Sequence, residues 1–235
     1  MRCLPVAILA GGLATRLRPL TATIPKSLIE VSGSPFIFHQ LKWLKKQGAY
    51  KIVICLGFLG EQIEALVGNG DHLGLSIEYS YDGEQLLGTG GAIKKALPLL
   101  EENFFVLYGD SYLSCSLNDI QSAFEKQPLP ALMTVLKNNN CWDKSNVCFQ
   151  DNILIQYEKK KPNNSMAYID YGLSILSKKI FNSHHYSNTF DLAYLFTQLS
   201  LEQNLMGLEM HQRFYEIGSH TGLEETQNFL IQHIS

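Results

Sequence analysis

A chain of 235 residues is long enough for one large domain with a complete hydrophobic core. Apolar residues make up 46% of the sequence and charged residues 17%, which is ordinary for a globular protein. The net charge of −3 argues against a general nucleic-acid binder, because contacts with a phosphate backbone need a basic face.

Cysteine content and apolar runs indicate the compartment. The five cysteines are odd in number and include no C-x-x-C pair, so buried thiols in a reducing environment are favoured over disulfides. Residues 6–10 are too short for the apolar region of a signal peptide, and no apolar run approaches the length of a membrane span. We therefore expect a soluble, cytoplasmic protein that binds neither nucleic acid nor membrane.

Strands and helices are predicted to alternate through the first half of the chain. Apolar runs at residues 6–9, 51–56 and 104–108 are typical of strands buried on both faces, and residues 75–79 alternate like a further strand. A helix is predicted to begin at Pro35 with Ser34 as its cap and to end at Gly48. Further helices are predicted at residues 60–67 and 92–99. This alternation predicts a three-layer α/β/α fold around a mostly parallel sheet.

In the second half of the chain the strand–helix alternation is less regular, and the change in architecture falls near Pro128. A helix is predicted at residues 118–126, and strands at residues 131–136 and 168–176. Residues 147–150 and 153–158 predict a hairpin around Asp151-Asn152. The last predicted helices are residues 191–201, with Asp191 in the first turn, and residues 222–234. His184-His185 falls in a polar loop and is expected to be solvated.

A basic loop follows the first strand. Gly11-Gly12 end that strand, and residues 6–29 contain Arg16, Arg18 and Lys26 but no carboxylate. Pro19 and Pro25 prevent the segment from forming a long helix. A glycine turn followed by a carboxylate-free basic loop suits an anionic ligand such as a polyphosphate. The alternative is a basic surface loop without a ligand.

The loop matches neither of the two familiar phosphate-binding loops. Its glycine spacing departs from G-x-G-x-x-G, and the second strand runs into Gly57 without the acidic residue of a dinucleotide fold. Lys26-Ser27 is preceded by Pro25, where a Walker loop needs glycine. Two arginines and a lysine behind a double glycine nevertheless favour an anion site over a plain surface loop.

Asp110 follows a buried strand and a glycine, so it lies at the carboxyl end of the sheet, where ligands bind in open α/β folds. A carboxylate beside a polyphosphate loop is well placed to hold Mg²⁺, although an aspartate here could also cap a turn. The turn at residues 88–91, G-T-G-G, opens the next helix, and its bare backbone could contact a flat ligand.

Four motifs together resemble those of the sugar-1-phosphate nucleotidyltransferase family. They read L-A-G-G-x-A-T-R-L-x-P-L-T, P-K-S-L, G-T-G-G-A and G-D, and the resemblance spans nearly the whole chain. It is greatest to the heptose-1-phosphate guanylyltransferase and N-acetylmuramate-1-phosphate uridylyltransferase branches. Ala14 departs from the glycine of many relatives.

The resemblance implies a Rossmann-like, GT-A-like core with a small β-rich sugar-binding elaboration, in one domain at residues 1–235. Residues 1–128 would be its nucleotide-binding half and residues 129–235 its sugar-binding half.

The family also implies a Mg²⁺-dependent reaction in which a nucleoside triphosphate and a sugar 1-phosphate give a nucleotide-sugar and pyrophosphate. GTP and a heptose or hexose 1-phosphate are favoured by resemblance alone, and a homo-oligomer is possible. Rivals are a non-catalytic nucleotide-sensing module and a cytidylyltransferase acting on a phosphate such as phosphocholine. For the latter, Tyr168 and Tyr171 could supply an aromatic cage around the ammonium group.

Residue roles follow from the same resemblance. The residues implied to hold the nucleotide are Leu9, Gly11, Gly12, Thr15, Arg16, Gly88, Thr89 and Gly90, with Lys26 at the reacting phosphate. The metal ligands would be Asp110 and Glu216. The sugar phosphate and sugar hydroxyls would contact Glu158, Lys159, Asp170 and Gly172.

Two of these assignments leave alternatives open. Glu216 stands in E-I-G-S, where the family has aspartate, and it could instead be an exposed charge before a helix cap. Lys159 is followed by Lys160 and Lys161, so the sequence leaves open which lysine meets the sugar phosphate, and a solvated charge run is also possible.

Overall fold

A computed structural model describes residues 2–151, 153–183 and 186–233. Asn152 of the predicted hairpin turn, the His184-His185 loop and the predicted helix end at Ile234 lie outside the described residues. In chain order the strands are β1 (Val6–Leu9), β2 (Glu30–Val31), β3 (Ser34–Pro35), β4 (Lys51–Leu56), β5 (Ser76–Tyr81), β6 (Asn103–Tyr108), β7 (Ser111–Tyr112), β8 (Ala131–Lys137), β9 (Val147–Gln150), β10 (Ile153–Tyr157), β11 (Tyr168–Ser177), β12 (Leu205–Met210) and β13 (Tyr215–Glu216).

The α-helices lie between these strands. They are α1 (Phe36–Lys46), α2 (Gly60–Val67), α3 (Gly88–Ala96), α4 (Leu117–Glu125), α5 (Lys179–Ser183), α6 (Leu192–Leu201) and α7 (His220–His233). Within the described residues, every helix is too short or too polar to span a lipid bilayer.

A central sheet runs through both halves of the chain. Its parallel part has the order β5-β4-β1-β6, and β1 is completely buried from Val6 to Ile8, as its apolar run predicts. Next to β6 lies β11, which runs antiparallel and pairs also with β8 and β9. β10 and β12 complete the sheet beside β9 and β8, respectively. The predicted α/β architecture is confirmed. Its β-rich second half consists of β8 to β12, which pair antiparallel except for β8 with β12.

Helices cover both faces of the sheet. Side chains of α1, α2 and α4 pack against one face in a core cluster that includes Leu41, Ile63 and Ile120. Side chains of α3 and α6 pack against the other face in a cluster that includes Ile93 and Phe196. Because β11 continues the sheet directly from β6, the architectural change near Pro128 is no break in the sheet. The division into two halves by role stays a prediction.

Three predicted helix starts differ from the structure. Ser34 and Pro35 pair with β2 as a short strand, so α1 begins at Phe36 and Ser34 does not cap it. The backbone N–H of Phe36 instead donates to Ile29 O at 2.9 Å, which holds this ribbon closed. Residues 88–91 form the first turn of α3 and not a turn before it. Asp191 caps α6 from outside its first turn, since its side chain accepts from Ala193 N.

The strand β12 was not predicted from the sequence. Gly207 interrupts its apolar residues, and glycine normally weakens a strand. The structure shows why glycine is present, because a Cβ at this position would lie 2.6 Å from the ring of Phe149. Glycine therefore allows Phe149 to pack directly against the backbone of β12.

Candidate active site

An inner cavity of about 220 Å³ opens at the carboxyl ends of the parallel strands. It follows the ends of β1, β4, β5 and β6, and its far wall is the start of α3. The lining residues are Leu9, Ala10, Gly11, Gly12, Lys26, Ser27, Cys55, Asp82, Leu86, Gly88, Thr89, Ala92, Tyr108, Gly109 and Asp110.

The basic loop borders this cavity without forming a long helix, as its prolines predict. It contains only short 3₁₀ turns, at Thr15–Leu17, Leu20–Ala22 and Lys26–Leu28. The two glycines before it serve different purposes. A Cβ on Gly11 would lie 2.8 Å from Gly57 N, so Gly11 permits a close backbone crossing. A Cβ on Gly12 would have no neighbour within 4 Å, so Gly12 leaves bare backbone facing open space.

Lys26 and Asp110 form an ion pair at the edge of the inner cavity. Lys26 Nζ lies 2.5 Å from Asp110 Oδ2, and the side chains are only 20% and 25% exposed. Gln40 of α1 holds the backbone around this aspartate, because its buried amide donates to Tyr108 O at 2.9 Å and to Ser111 O at 2.7 Å. The turn that presents Asp110 is thus fixed from both sides.

An outer cavity of about 460 Å³ adjoins the inner one. Tyr108 and Asp110 line both cavities, so the ion pair stands at their boundary. The other lining residues are Arg16, Ser111, Cys141, Trp142, Asp143, Asn146, Tyr157, Lys159, Ile169, Asp170, Arg213, Phe214, Glu216, Ser219, Thr221, Gly222 and Glu225.

Glu216 is brought to Asp110 by the pairing of β7 with β13. Glu216 lies opposite Ser111, and Ile217 N donates to Asp110 O at 2.9 Å. A Cβ on Gly218 would lie 2.6 Å from Glu216 Oε2, 3.1 Å from Arg16 Nη2 and 3.3 Å from Asp110 Oδ2. Two carboxylates and a guanidinium from three distant segments therefore surround one point.

The Glu216 carboxylate is also bound within its own turn. It accepts hydrogen bonds from Gly218 N and, at 2.6 Å, from Ser219 Oγ, at the start of α7. Within the described residues, no group of three or more His, Cys, Asp and Glu side chains could hold a metal ion unaided. The pair Asp110 and Glu216 fits a Mg²⁺ ion whose remaining ligands are phosphate oxygens and water, the usual arrangement for this ion.

Asp170 lies in the wall of the outer cavity at a bulge in β11. Burial raises the pKa of its carboxyl to about 6, against the opposing effects of the Gly172 N–H, the Lys159 ammonium and the Tyr108 hydroxyl. Gly172 N donates to Asp170 Oδ1 at 2.9 Å, and Tyr108 Oη donates to Oδ2 at 3.4 Å. Gly172, with a φ of +95°, supplies a backbone conformation that other residues rarely adopt.

The structure distinguishes the three consecutive lysines. Lys159 lines the outer cavity, and its Nζ lies 3.9 Å from Asp191 Oδ2. Lys160 and Lys161 are exposed, and their backbone N–H groups donate to Glu158 Oε1 at 2.7 and 3.2 Å. Glu158 therefore stabilises the turn that carries Lys159 and is not part of either cavity wall.

The glycines at the start of α3 accommodate another part of the protein. Gly90 N and Gly91 N both donate to Phe190 O, at 3.0 and 3.2 Å, and a Cβ on Gly90 would overlap the Phe190 ring. These two amides are thus already bound within the protein. Gly88 and Thr89 do line the inner cavity.

A family model described as nucleotidyl transferase matches residues 6–232 of the chain. The chain belongs to the nucleotidyl transferase family. D-glycero-alpha-D-manno-heptose 1-phosphate guanylyltransferase of Aneurinibacillus thermoaerophilus is 32% identical over 232 residues, covering 97% of this chain and 98% of that protein. N-acetylmuramate alpha-1-phosphate uridylyltransferase of Neisseria meningitidis is 46% identical over 104 residues, which are 44% of this chain and 45% of that protein. These names confirm the resemblance to sugar-1-phosphate nucleotidyltransferases.

The fold of this nucleotidyl transferase is also found in solved structures. The crystal structure of HddC from Yersinia pseudotuberculosis complexed with GMP-PN superposes with a TM-score of 0.78 at 25% identity, covering 97% of this chain and 99% of that one. UDP-glucose pyrophosphorylase from Acinetobacter baumanii superposes with a TM-score of 0.80 at 18% identity, covering 98% of this chain and 94% of that one, and shows likeness of fold alone.

Most residues that the family resemblance implied lie in the two cavities of this nucleotidyl transferase. Those lining the inner cavity are Leu9, Gly11, Gly12, Lys26, Gly88, Thr89 and Asp110. Those lining the outer cavity are Arg16, Asp110, Lys159, Asp170 and Glu216. Four others, Thr15, Gly90, Glu158 and Gly172, line neither cavity.

The aromatic cage considered for a phosphocholine substrate is not formed by the residues suggested for it. Tyr171 is fully buried and its ring packs edge-on against Phe214, while Tyr168 packs against Phe149. Neither tyrosine lines the inner or the outer cavity.

Several residues of the nucleotidyl transferase site were missed in the sequence. Asp82 follows β5 and lines the inner cavity; burial raises the pKa of its carboxyl, and Leu87 N donates to Oδ2 at 3.1 Å. Arg213 lines the outer cavity, where its guanidinium lies 5.2 Å from the Trp142 ring and also pairs with Glu225. The available signal for Asp82 was a carboxylate three residues beyond the strand predicted at residues 75–79, whereas Arg213 stands in no recognisable motif.

Proposed function

We propose that the protein transfers a nucleotidyl group from a nucleoside triphosphate to a sugar 1-phosphate, giving a nucleotide-sugar and pyrophosphate. The observation that carries this proposal is the boundary between the two cavities. The inner cavity and the polar outer cavity share Asp110, and Lys26 and Arg16 approach the same boundary. Two substrates held in the two cavities would meet at this cluster of charges.

The chemistry requires positioning and charge neutralisation. The sugar phosphate already carries an ionised oxygen as nucleophile, so its attack on the α-phosphate needs no general base. The barrier arises from repulsion between two anions and from poor alignment. Lys26 and Arg16 would offset that repulsion and stabilise the charge that develops on the α-phosphate and on the departing pyrophosphate.

Asp110 and Glu216 would hold a Mg²⁺ ion at the boundary. Their carboxylates face one point beside Arg16, and each Glu216 oxygen accepts one hydrogen bond within its turn, which leaves a second lone pair that could face the ion. The ion would supply further charge neutralisation for the phosphates. The all-oxygen donor set suits a hard cation such as Mg²⁺.

Asp82 favours GTP as the nucleotide. Neighbouring strands lie about 4.8 Å apart, so the ends of β6 and β5 are separated by roughly 14 Å, a length that a nucleotide can span. With the phosphates at Lys26, the base would lie at the β5 end beside Asp82. Guanine presents the donors N1–H and N2–H₂ on one edge, and a carboxylate accepts both, whereas uracil presents a single donor.

The outer cavity favours a neutral, hydroxyl-rich sugar. Its carboxylates outnumber its cations, which disfavours a second anionic group on the substrate. The carboxylates are Asp110, Asp143, Asp170, Glu216 and Glu225, and the cations are Arg16, Lys159 and Arg213. Carboxylates accept hydrogen bonds from sugar hydroxyls, and a heptose or hexose 1-phosphate fits this composition. The name of the 32% identical guanylyltransferase supports the same choice.

Pyrophosphate release tests the proposal. The protein is incubated with each of the four nucleoside triphosphates, Mg²⁺ and a panel of heptose and hexose 1-phosphates, including N-acetylmuramate 1-phosphate. We expect pyrophosphate to form only when both substrates are present, with GTP and a neutral sugar preferred. Binding of a triphosphate without pyrophosphate release in any combination would favour the nucleotide-sensing module instead.

A further inference from the structure

Asp191 lies between the two cavities, although it lines neither of them. One of its carboxylate oxygens, Oδ1, accepts from Ala193 N at 2.8 Å and from Thr89 Oγ1 at 3.2 Å. Thr89 Oγ1 in turn accepts from Leu192 N at 2.8 Å. The start of α6 and the start of α3 are therefore tied together through this aspartate and a threonine of the inner cavity.

The backbone around Asp191 is held independently of its side chain. Phe190 O accepts from Gly90 N and Gly91 N, and Phe190 N donates to Leu87 O at 3.0 Å. The Asp191 carboxylate consequently has a fixed place relative to the inner cavity. Its second oxygen, Oδ2, is 3.9 Å from Lys159 Nζ, the lysine of the outer cavity wall.

The Lys159 side chain needs an ionic partner to hold it in one orientation. Its side chain is 54% exposed and lies in the turn after β10, so packing alone does not orient it. The other carboxylate that interacts with it across the outer cavity is Asp170. An ammonium that turned toward Asp170 would leave the phosphate position and would occupy an acceptor needed for the sugar hydroxyls.

We infer that Asp191 is a positioning residue that holds the Lys159 ammonium where the phosphate of the sugar 1-phosphate binds, and that it ties this position to Thr89 in the inner cavity. The inference rests on the proposed function of the two cavities. It assigns a role in substrate alignment to a carboxylate that touches neither substrate.

The test uses Asp191→Asn, because asparagine caps a helix as well as aspartate and keeps an oxygen for Ala193 N and Thr89 Oγ1. Only the charge facing Lys159 is lost. An exposed ion pair is worth at most about 1 kcal/mol, so we expect the Kd and the KM for mannose 1-phosphate to rise about 3- to 5-fold. The KM for the nucleoside triphosphate and the melting temperature should stay unchanged. Lys160→Gln, at an exposed lysine outside both cavities, is the matched control and should leave all four quantities unchanged.

A double-mutant cycle with Lys159→Met decides whether Asp191 acts through Lys159. In the Lys159→Met background, Asp191→Asn should cause no further loss. The inference is wrong if the losses from Asp191→Asn and Lys159→Met multiply in the double variant, or if Asp191→Asn raises the KM of both substrates together. It is also wrong if Asp191→Asn binds mannose 1-phosphate more tightly, because Asp191 would then compete with the phosphate for the lysine. Calorimetry of mannose 1-phosphate with the α,β-methylene analogue of GTP present measures the Kd without turnover, because a P–C bond replaces the α–β bond that the transfer breaks. Binding without any pyrophosphate release would therefore contradict the proposed function and still test Asp191. Absence of binding of mannose 1-phosphate and of every other sugar 1-phosphate in the panel to the unaltered protein would overturn both.

Discussion

Lys26 Nζ lies 2.5 Å from Asp110 Oδ2 at the boundary between the inner and outer cavities, although the two residues are 84 positions apart in the chain. Each neutralises the other in the absence of substrate. When phosphates and Mg²⁺ bind, the lysine can turn to the phosphates and the aspartate to the cation. Until then the ion pair keeps both side chains in place and avoids the free-energy cost of an unpaired, partly buried charge.

Replacing Lys26 by methionine should lower turnover by about 10²-fold or more, the loss seen when one charge-stabilising group is removed from an active site. Methionine preserves most of the side-chain volume, so the fold should persist. Pyrophosphate release at saturating substrates measures the effect. Lys126→Met, at an exposed lysine after α4, serves as the control for loss of a positive charge. Turnover of Lys26→Met equal to that of Lys126→Met would contradict the role assigned to Lys26.

Glu216 should be replaceable by aspartate but not by glutamine. Aspartate keeps the charge near Arg16 and Asp110, while glutamine keeps the length and one acceptor oxygen for the turn but is a poor ligand for Mg²⁺. We expect Glu216→Gln to raise the Mg²⁺ concentration for half-maximal activity about 10-fold or more, and Glu216→Asp to change it less. Calorimetric titration of Mg²⁺ in the presence of GMP-PNP provides a reading independent of turnover. Equal behaviour of the two variants would remove Glu216 from the metal site.

Asp82→Asn should reduce the use of GTP more than that of UTP. The carboxylate accepts from two donors of guanine, and an amide presents one acceptor and repels the second donor. We expect a loss of about 10-fold in kcat/KM for GTP, equivalent to one hydrogen bond to a charged group. ITP, which lacks the 2-amino group, should be a poorer substrate than GTP for the unaltered protein and should approach GTP in the variant. A uniform loss with all triphosphates would show that Asp82 only supports the loop through Leu87 N.

The sequence predicted the parts of the site that lie on local patterns and missed those that depend on distant packing. The basic loop and Asp110 follow apolar strands whose order places them at one edge of a parallel sheet. Gly90 was assigned to the ligand from its motif. The ring of Phe190 occupies the space beside it, and the sequence gives no sign of this contact because the two residues are a hundred positions apart. Gln40 is a polar residue on an apolar helix face, and its purpose becomes visible only when α1 packs against the end of β6.

Gly90→Ala tests whether this glycine serves packing. A Cβ at residue 90 would overlap the Phe190 ring, and overpacking of this kind costs about 1–3 kcal/mol of unfolding free energy. Phe190→Leu removes Cε2 and Cζ, two of the three ring atoms that a methyl group would meet, and leaves a smaller side chain that can move away. The double variant should therefore be more stable than Gly90→Ala alone, as measured by denaturant unfolding. If Gly90→Ala unfolds like the unaltered protein but binds GMP-PNP poorly, the glycine serves the ligand after all.

Asp170 should make the protein less stable as the pH rises from about 4 to about 6. Its folded-state pKa of about 6 lies above the ordinary value of 3.8, so the folded protein binds the proton more tightly than the unfolded chain does. Stability is greatest below the ordinary pKa, falls through this interval and is constant above it. Lys159, the Tyr108 hydroxyl and the Gly172 N–H oppose the shift without cancelling it.

In Asp170→Asn this pH-dependent loss is absent, so the unfolding free energy of the variant relative to the unaltered protein should increase between pH 4 and pH 6. The increase should be up to about 2 kcal/mol, since one pKa unit corresponds to about 1.4 kcal/mol. Denaturant unfolding of both proteins at pH 4, 5, 6 and 7 measures it, and a difference that does not vary with pH would show that Asp170 titrates normally.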